Sequence, residues 1–284
     1  MKRPLILVMI VLVVSTLACT ININVPEMKT IATQEMKIDE ALPAEGSAAN
    51  VNLKMGAGSL NLVGGANGLV AGSIKYNVEE WKPEISRTGS TVSITQNSTK
   101  SIDGIPSDKI INHWDLTLNS STPINLDIEA GAYKGELDLS GLHLQDLDVS
   151  DGASESKVMF NIPNPEKMAR LVYKTGASKV DLIGLGNANF TEMRFEGGAG
   201  TYTLDFTGSL QQEGHVEVQV GVCNLTIRIP EGMNVRVNNQ GTLTNINTQG
   251  TWSVIDNSYE ASGSGPLLEI DLEMGLGNLN LIRE

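Results

Sequence analysis

Glycines recur along this chain at a nearly constant step, and each heads the same short pattern. The stretches "GAYKGELDL" (131–139), "GASESKVMF" (152–160), "GASKVDL" (176–182), "GAGTYTLDF" (198–206) and "GVCNLTI" (221–227) start 21, 24, 22 and 23 residues apart. Two further copies, "GAGSLNL" (56–62) and "GLGNLNL" (275–281), stand outside the regular run. A fixed period of this length marks stacked repeats, in which each unit buries its apolar face only against its neighbours. That restricts the chain to an elongated column.

The repeat has a fixed anatomy. An alternating run comes in ("NLDIEAG", "DLDVSDG", "EMRFEGG", "VEVQVG", "EIDLEMG"), a corner of small residues follows, and a second alternating run goes out. Alternation with period two points one row of side chains inward and the other to water. The inner row reads Leu126, Ile128, Leu137, Leu139, Leu147, Val149, Val158 and Phe160, and continues through Leu182, Phe195, Leu204, Val218, Leu225 and Ile227. Two strands of ordinary length and two turns take about 22 residues, which matches the step. The expected fold is an all-β, single-domain β-solenoid with two strands per coil.

The third position of the corner holds Gly58, Ser178, Gly200, Cys223 and Gly277, with Tyr133 as the large exception. This explains a lone thiol in the body of the chain: Cys223 reads as a small, weakly polar residue filling a tight inside corner. A reactive or metal-binding thiol is the alternative, but no His or second Cys lies near it in sequence.

The other cysteine sits at the start. "MKRPLILVMIVLVVSTLAC" has a basic head, an apolar run from Pro4 to Val14 and then small residues, the order of a secretory signal. The run is short for a permanent membrane span. "TLAC" resembles the bacterial lipobox, so residues 1–18 are expected to be a lipoprotein signal and Cys19 the acylated N-terminus. Ordinary cleavage near Ala18 is the alternative. Residues 19–48 then form a tether with an edge strand, and 49–284 the solenoid. The expected location is the outer side of the bacterial cell membrane, held there by lipid.

The chain carries 33 acidic against 20 basic residues, for a formal net charge of −13. That balance repels phosphate backbones, which disfavours nucleic acid as a partner. The irregular stretches are 95–113 and 256–266, and "NPEKMARL" suggests one helical turn capped by Asn164 with Pro165 at its first position.

Signals for chemistry are sparse. His113, His143 and His215 form no ligand-spaced cluster, and no nucleophile elbow or phosphate loop is present. No catalytic, metal or cofactor residue is therefore assigned. If coils stack in register, Asp181 and Asp205 fall one rung, about 4.8 Å, apart. That spacing raises a cation site against the simpler reading of a solvated outer face. Trp81, beside "KPE", is the candidate for a ligand contact, as a platform for a sugar ring.

The stretches "MGAGSLNLVGGANGLVAGSIKYNVEEWKPEI", "WDLTLN" and "LDIEAGAYKGELDLSGLHLQDLDV" resemble the toast-rack family. This family covers bacterial envelope proteins related to the putative-adhesin domain and to the C-terminal domain of cell-wall-antibiotic response regulators. The resemblance implies a β-solenoid at the cell envelope with no catalytic residues to transfer. The expected function is that of a non-enzymatic surface lipoprotein binding an envelope glycan, another envelope component or a protein. An accessory of envelope stress sensing and a polysaccharide-active enzyme on a β-helix scaffold are the alternatives.

Overall fold

Each corner glycine bends one long strand instead of ending it. The chain's computed structural model describes residues 28–97, 109–241 and 243–284. Among these the strands are β1 (Gln34–Glu40), β2 (Ala49–Gly64), β3 (Val70–Tyr76), β4 (Pro83–Thr88), β5 (Thr91–Gln96) and β6 (Asn112–Leu118). They continue with β7 (Ile124–Asp138), β8 (Leu144–Met159), β9 (Met168–Ile183), β10 (Phe190–Asp205) and β11 (Gly214–Ile229). The remainder are β12 (Asn234–Asn239), β13 (Leu243–Gln249), β14 (Ser253–Ile255), β15 (Ser258–Ala261) and β16 (Leu267–Arg283).

The seven long strands stack parallel in the order β2, β7, β8, β9, β10, β11, β16. Each has an ingoing arm, a two-residue corner and an outgoing arm. In β7 the apolar positions run Ile124, Leu126, Ile128, Ala130, then skip Gly131 and Ala132 and resume at Tyr133, Gly135, Leu137. The skip changes the phase of the alternation, so both arms keep their apolar side toward the same core. Register follows the corners: Ala132 pairs with Ala153, Ala177 with Ala199, and Val222 with Leu276.

The expected inner row is buried throughout, from Leu126 and Ile128 to Leu225 and Ile227. Each fully buried Leu, Val or Phe contributes about 1.5–3 kcal/mol. Tyr173, Phe195 and Tyr202 form an aromatic column inside, with Tyr173 stacked on Phe195 at 5.9 Å and Phe195 edge-on to Tyr202 at 5.1 Å.

The two irregular glycine steps are excursions that build the ends. Between Gly56 and Gly131 the chain makes β3, β4, β5 and β6, which pair on the far side of β2 and leave β7 free to stack directly on it. Between Gly221 and Gly275 it makes β12 to β15 beyond β16, which is itself paired with β11. The repeat is thus unbroken in space where it is broken in sequence.

No helical turn forms at "NPEKMARL". Asn164 is buried and spans rungs: its Nδ2 donates to the carbonyls of Leu144 at 2.8 Å and Ala188 at 3.1 Å, and its Oδ1 accepts from the Leu144 and Glu166 amides. Asn187 and Asn189 act likewise, donating to the carbonyls of Phe160 and Glu166. These buried amides satisfy the turn backbone that no strand pairs. Among the described residues, helical geometry occurs as 3-10 turns at Glu79–Trp81 and Leu185–Asn187.

Candidate binding face

Alternation places the residues two, four and six before each corner glycine on the outside of the ingoing arm. From β2 to β16 this face presents Lys54, Glu129, Lys174, Glu196 and Glu273 nearest the corner. Asp127, Asp148, Arg194, Glu217 and Asp271 come next, then Asp146, Arg170, Glu192, His215 and Glu269. Acids outnumber bases, and the bases sit between rungs. Lys54 meets Glu129 at 2.6 Å, Arg170 meets Asp146 at 3.1 Å, Lys174 meets Glu196 at 3.6 Å and Arg194 meets Glu217 at 3.4 Å. His215 lies 3.8 Å from Asp271. Exposed pairs of this kind add little to stability; here they hold long side chains in ranks across the sheet. Partial burial raises the pKa of Asp127, and the charges of Glu129 and Asp148 raise it further.

A trough follows the corner because no side chain stands on its glycines. One section, of about 750 Å³, is lined by Lys174, Glu196, Gly198, Gln219, Gly221, Gln240 and Glu273 among others. A second, of about 660 Å³, is lined by Lys54, Gln96, Asp127, Glu129, Gly131 and Ser150 among others. Both share Asp151 and Lys174, so they abut. A third hollow of about 530 Å³ lies on the same face between Arg170, Val172, Arg194 and His215.

Asp151 shows how the trough floor joins the core. Its position, one before the corner, points inward. Thr175 Oγ1 and Ser178 Oγ lie 2.5 and 3.2 Å from Oδ1 and 2.5 Å from each other, so one of their hydrogens bridges the pair and the other reaches Oδ1, while the Tyr173 hydroxyl at 2.8 Å and Ser154 Oγ at 3.0 Å donate to Oδ2. Three hydroxyl hydrogens therefore reach the carboxylate, one on Oδ1 and two on Oδ2. The group is thereby committed to binding rungs together. Burial raises the phenol pKa of Tyr133 and Tyr173 and pushes that of Tyr202 up to about 12, which keeps all three protonated.

The sequence-assigned positions fall as follows. Cys19 and the leader lie outside the described residues, as does most of the 95–113 insertion. Ser178 and Cys223 point into the column; Cys223 is a free thiol, 5% exposed, and burial pushes its pKa up to about 11. The tight approach expected across the third corner position belongs only to its glycines. Gly58, Gly200 and Gly277 have φ of 147°, 159° and 136°, and a Cβ on Gly200 or Gly277 would collide with the carbonyl of Ser178 or Cys223. Inward, the same position has room for a phenol where Gly135 opposes the Tyr133 ring.

Two expectations are corrected. Trp81 is 2% exposed and packs with Met28 and Val78 against Ala57 and Ile110, so its ring offers no platform for a sugar. Asp181 and Asp205 are not rung-mates: Asp181 pairs with Thr203 and Lys157, and Asp205 with Arg228. Among the described residues no three His, Cys, Asp or Glu side chains are grouped to hold a metal ion. His143 is half-buried with Nδ1 3.1 Å from Glu166. The ranked charges of the ingoing face went unread in the sequence, although counting back by twos from each corner glycine exposes them.

A family model described as "N-terminal domain of toast_rack, DUF2154" matches residues 25–168. Among solved structures, the chain is similar to a "putative cell adhesion protein" from Clostridium sporogenes, with 21% identity, a TM-score of 0.49 and 90% of this chain and 100% of that one covered. It is also similar to a "putative lipid binding protein" from Parabacteroides distasonis, at 9% identity and TM-score 0.42, covering 88% and 96%. A third, a "putative adhesin" from Bacteroides fragilis, has 12% identity and TM-score 0.31, covering 90% and 98%. No curated protein matches the chain.

Proposed function

The chain belongs to the toast-rack family, and from that premise we propose that it is a non-enzymatic binding protein of the bacterial cell surface, whose ingoing face receives a protein partner with a basic surface. Residues 1–18 direct export, Cys19 carries the lipid, 19–48 form the tether and 49–284 the binding column.

The observation that carries this reading is the ingoing face itself. It runs across all seven long rungs, is ruled by rows of charge with carboxylates in excess, and holds contiguous hollows of about 750 and 660 Å³ along the glycine corner. A rigid, flat, pre-ordered surface spends little entropy on binding. An acidic surface steers basic partners and repels anionic polymers and head groups. Asp151, a carboxylate that lines both hollows, has both oxygens engaged by hydroxyls, which favours binding over acid–base work.

The test places a photo-reactive residue at Gln219, in the trough, or at Lys157, on the outgoing arm, of the protein displayed on intact cells. Adducts are identified by mass spectrometry. The reading expects a partner captured from Gln219 and not from Lys157, and its loss when Glu217 and Glu273 are both changed to Lys. Equal capture from both faces, or capture indifferent to the charge reversal, overturns it. Mass spectrometry of the mature N-terminus tests the anchor; an unmodified Cys19 rejects it.

A further inference from the structure

We infer that the C-terminal end of the column is a self-association surface, on which β13 of one copy pairs antiparallel with β13 of a second copy about a two-fold axis. This surface is an end of the column and not the ingoing face, so it stands independently of the partner proposed above.

Among the described strands, β13 is hydrogen-bonded along one edge only, to β16. An open edge invites another strand, and proteins ordinarily blunt such edges with charge or proline. The edges at the other end are blunted in this way: β1 carries Glu35, Lys37, Asp39 and Glu40, and β4 begins at Pro83 and carries Glu84 and Arg87. β13 has no such protection. Between Arg236 and Asp256 the chain contains no Asp, Glu, Lys, Arg or His. In a protein of net charge −13, this is an end where two copies meet without opposing like charges.

The side chains on this edge match themselves. Asn278 Nδ2 donates to Asn224 Oδ1 at 2.7 Å, and Asn245 Nδ2 donates to Asn278 Oδ1 at 3.3 Å. In the neighbouring row Asn247 Nδ2 donates to Asn280 Oδ1 at 3.2 Å. Each amide donates toward the preceding rung, so the rows end on the exposed carboxamides of Asn245 and Asn247. A carboxamide both donates and accepts, and stacked amides continue readily from strand to strand. A second β13 brings the same uncharged row, whereas β1 brings charges, which disfavours head-to-tail joining. Val254 and Ile255 of β14, 53% and 64% exposed at this same end, add apolar area. A patch that pairs with itself about a two-fold axis closes at two copies.

The test uses the exported chain with Cys19→Ser, so that no acyl group adds an association of its own. Its mass in solution is followed by sedimentation over a concentration series. The expected result is a doubling of mass that saturates at the dimer and is lost in Asn247→Lys and in Gln249→Lys, each of which puts a charge on the otherwise uncharged paired edge. Glu35→Lys, at the far end, is expected to leave the dimer intact. A monomer at every concentration overturns the proposal. So do open-ended growth beyond two copies, a dimer untouched by both lysine variants, and a dimer lost only with Glu35→Lys.

Discussion

Gly198 rests on Gly176 so closely that a Cβ on Gly198 would lie 2.5 Å from the Gly176 carbonyl oxygen. The obstacle is backbone, so no side-chain rotation relieves it. The next residue, Ala199, faces solvent, and its counterparts on β11 and β16 are Val222 and Leu276, 58% and 49% exposed. Adjacent substitutions should therefore behave oppositely. Gly198→Ala is expected to cost about 1–3 kcal/mol, the range for forced overpacking, while Ala199→Val stays within about 0.5 kcal/mol of the parent. Urea midpoints compared at equal slope give both values. A Gly198→Ala protein as stable as the parent would contradict the glycine stack.

Removing Asp151 strands hydroxyls on three sides. Tyr173, Ser154 and one hydroxyl of the Thr175–Ser178 pair donate to it, and Tyr173 is buried. Asp151→Ala is expected to cost about 2–4 kcal/mol, as two or more donors lose a partner at roughly 1–3 kcal/mol each with partial rescue by water. Asp151→Asn keeps one acceptor oxygen and should fall between Asp151→Ala and the parent. Equal thermal stability of Asp151→Ala and the parent would remove the carboxylate as a tie between rungs.

Asp127 gives a pH dependence with a definite sign. Partial burial first, then Glu129 and Asp148, hold its pKa above the ordinary value in the folded protein. The folded form therefore binds this proton more tightly than the unfolded form does. Its favourable contribution is present at acid pH and is lost as pH rises through the raised pKa. Asp127→Asn should stabilise the protein at neutral pH, by no more than about 0.5 kcal/mol on a surface where solvent screens charge. That gain should disappear once the parent's Asp127 is protonated in acid. A gain of equal size at both pH values would trace to packing, not charge.

The column was legible in the sequence because one physical rule writes it: period-two alternation that slips phase at each glycine. That rule yielded the inner row from Leu126 to Ile227. The mistaken pairing of Asp181 with Asp205 came from treating the outgoing strands as interchangeable. Asp181 lies five residues after Gly176, and Asp205 lies seven after Gly198, so offset from the corner already separates them. Other features depend on contacts that no local pattern encodes. Asn164 reads locally as a helix cap, yet its amide bridges turns 20 and 24 residues away. Trp81 is buried because Met28 reaches it from outside the repeat. The end excursions hide direct stacking of β2 on β7, since sequence separation says nothing about which rung a returning strand joins.

The thiol that the repeats explain should also be chemically quiet. Cys223 is 5% exposed, and burial pushes its pKa up to about 11. The attacking species is the thiolate, so two barriers combine at mildly alkaline pH: a small thiolate fraction and no path for reagent. A thiol reagent at pH 8 is expected to label the native Cys19→Ser protein at least about 100-fold more slowly than the urea-unfolded chain, as a pKa some two units higher leaves about a hundredth of the thiolate. The stability link has the sign of a group held neutral by folding. Its contribution is intact below the unfolded pKa and is lost as pH climbs toward about 11. The parent should therefore lose stability in that alkaline range faster than Cys223→Ala. Native labelling as fast as unfolded labelling would mean that the corner opens to solvent and that Cys223 has a role beyond filling it.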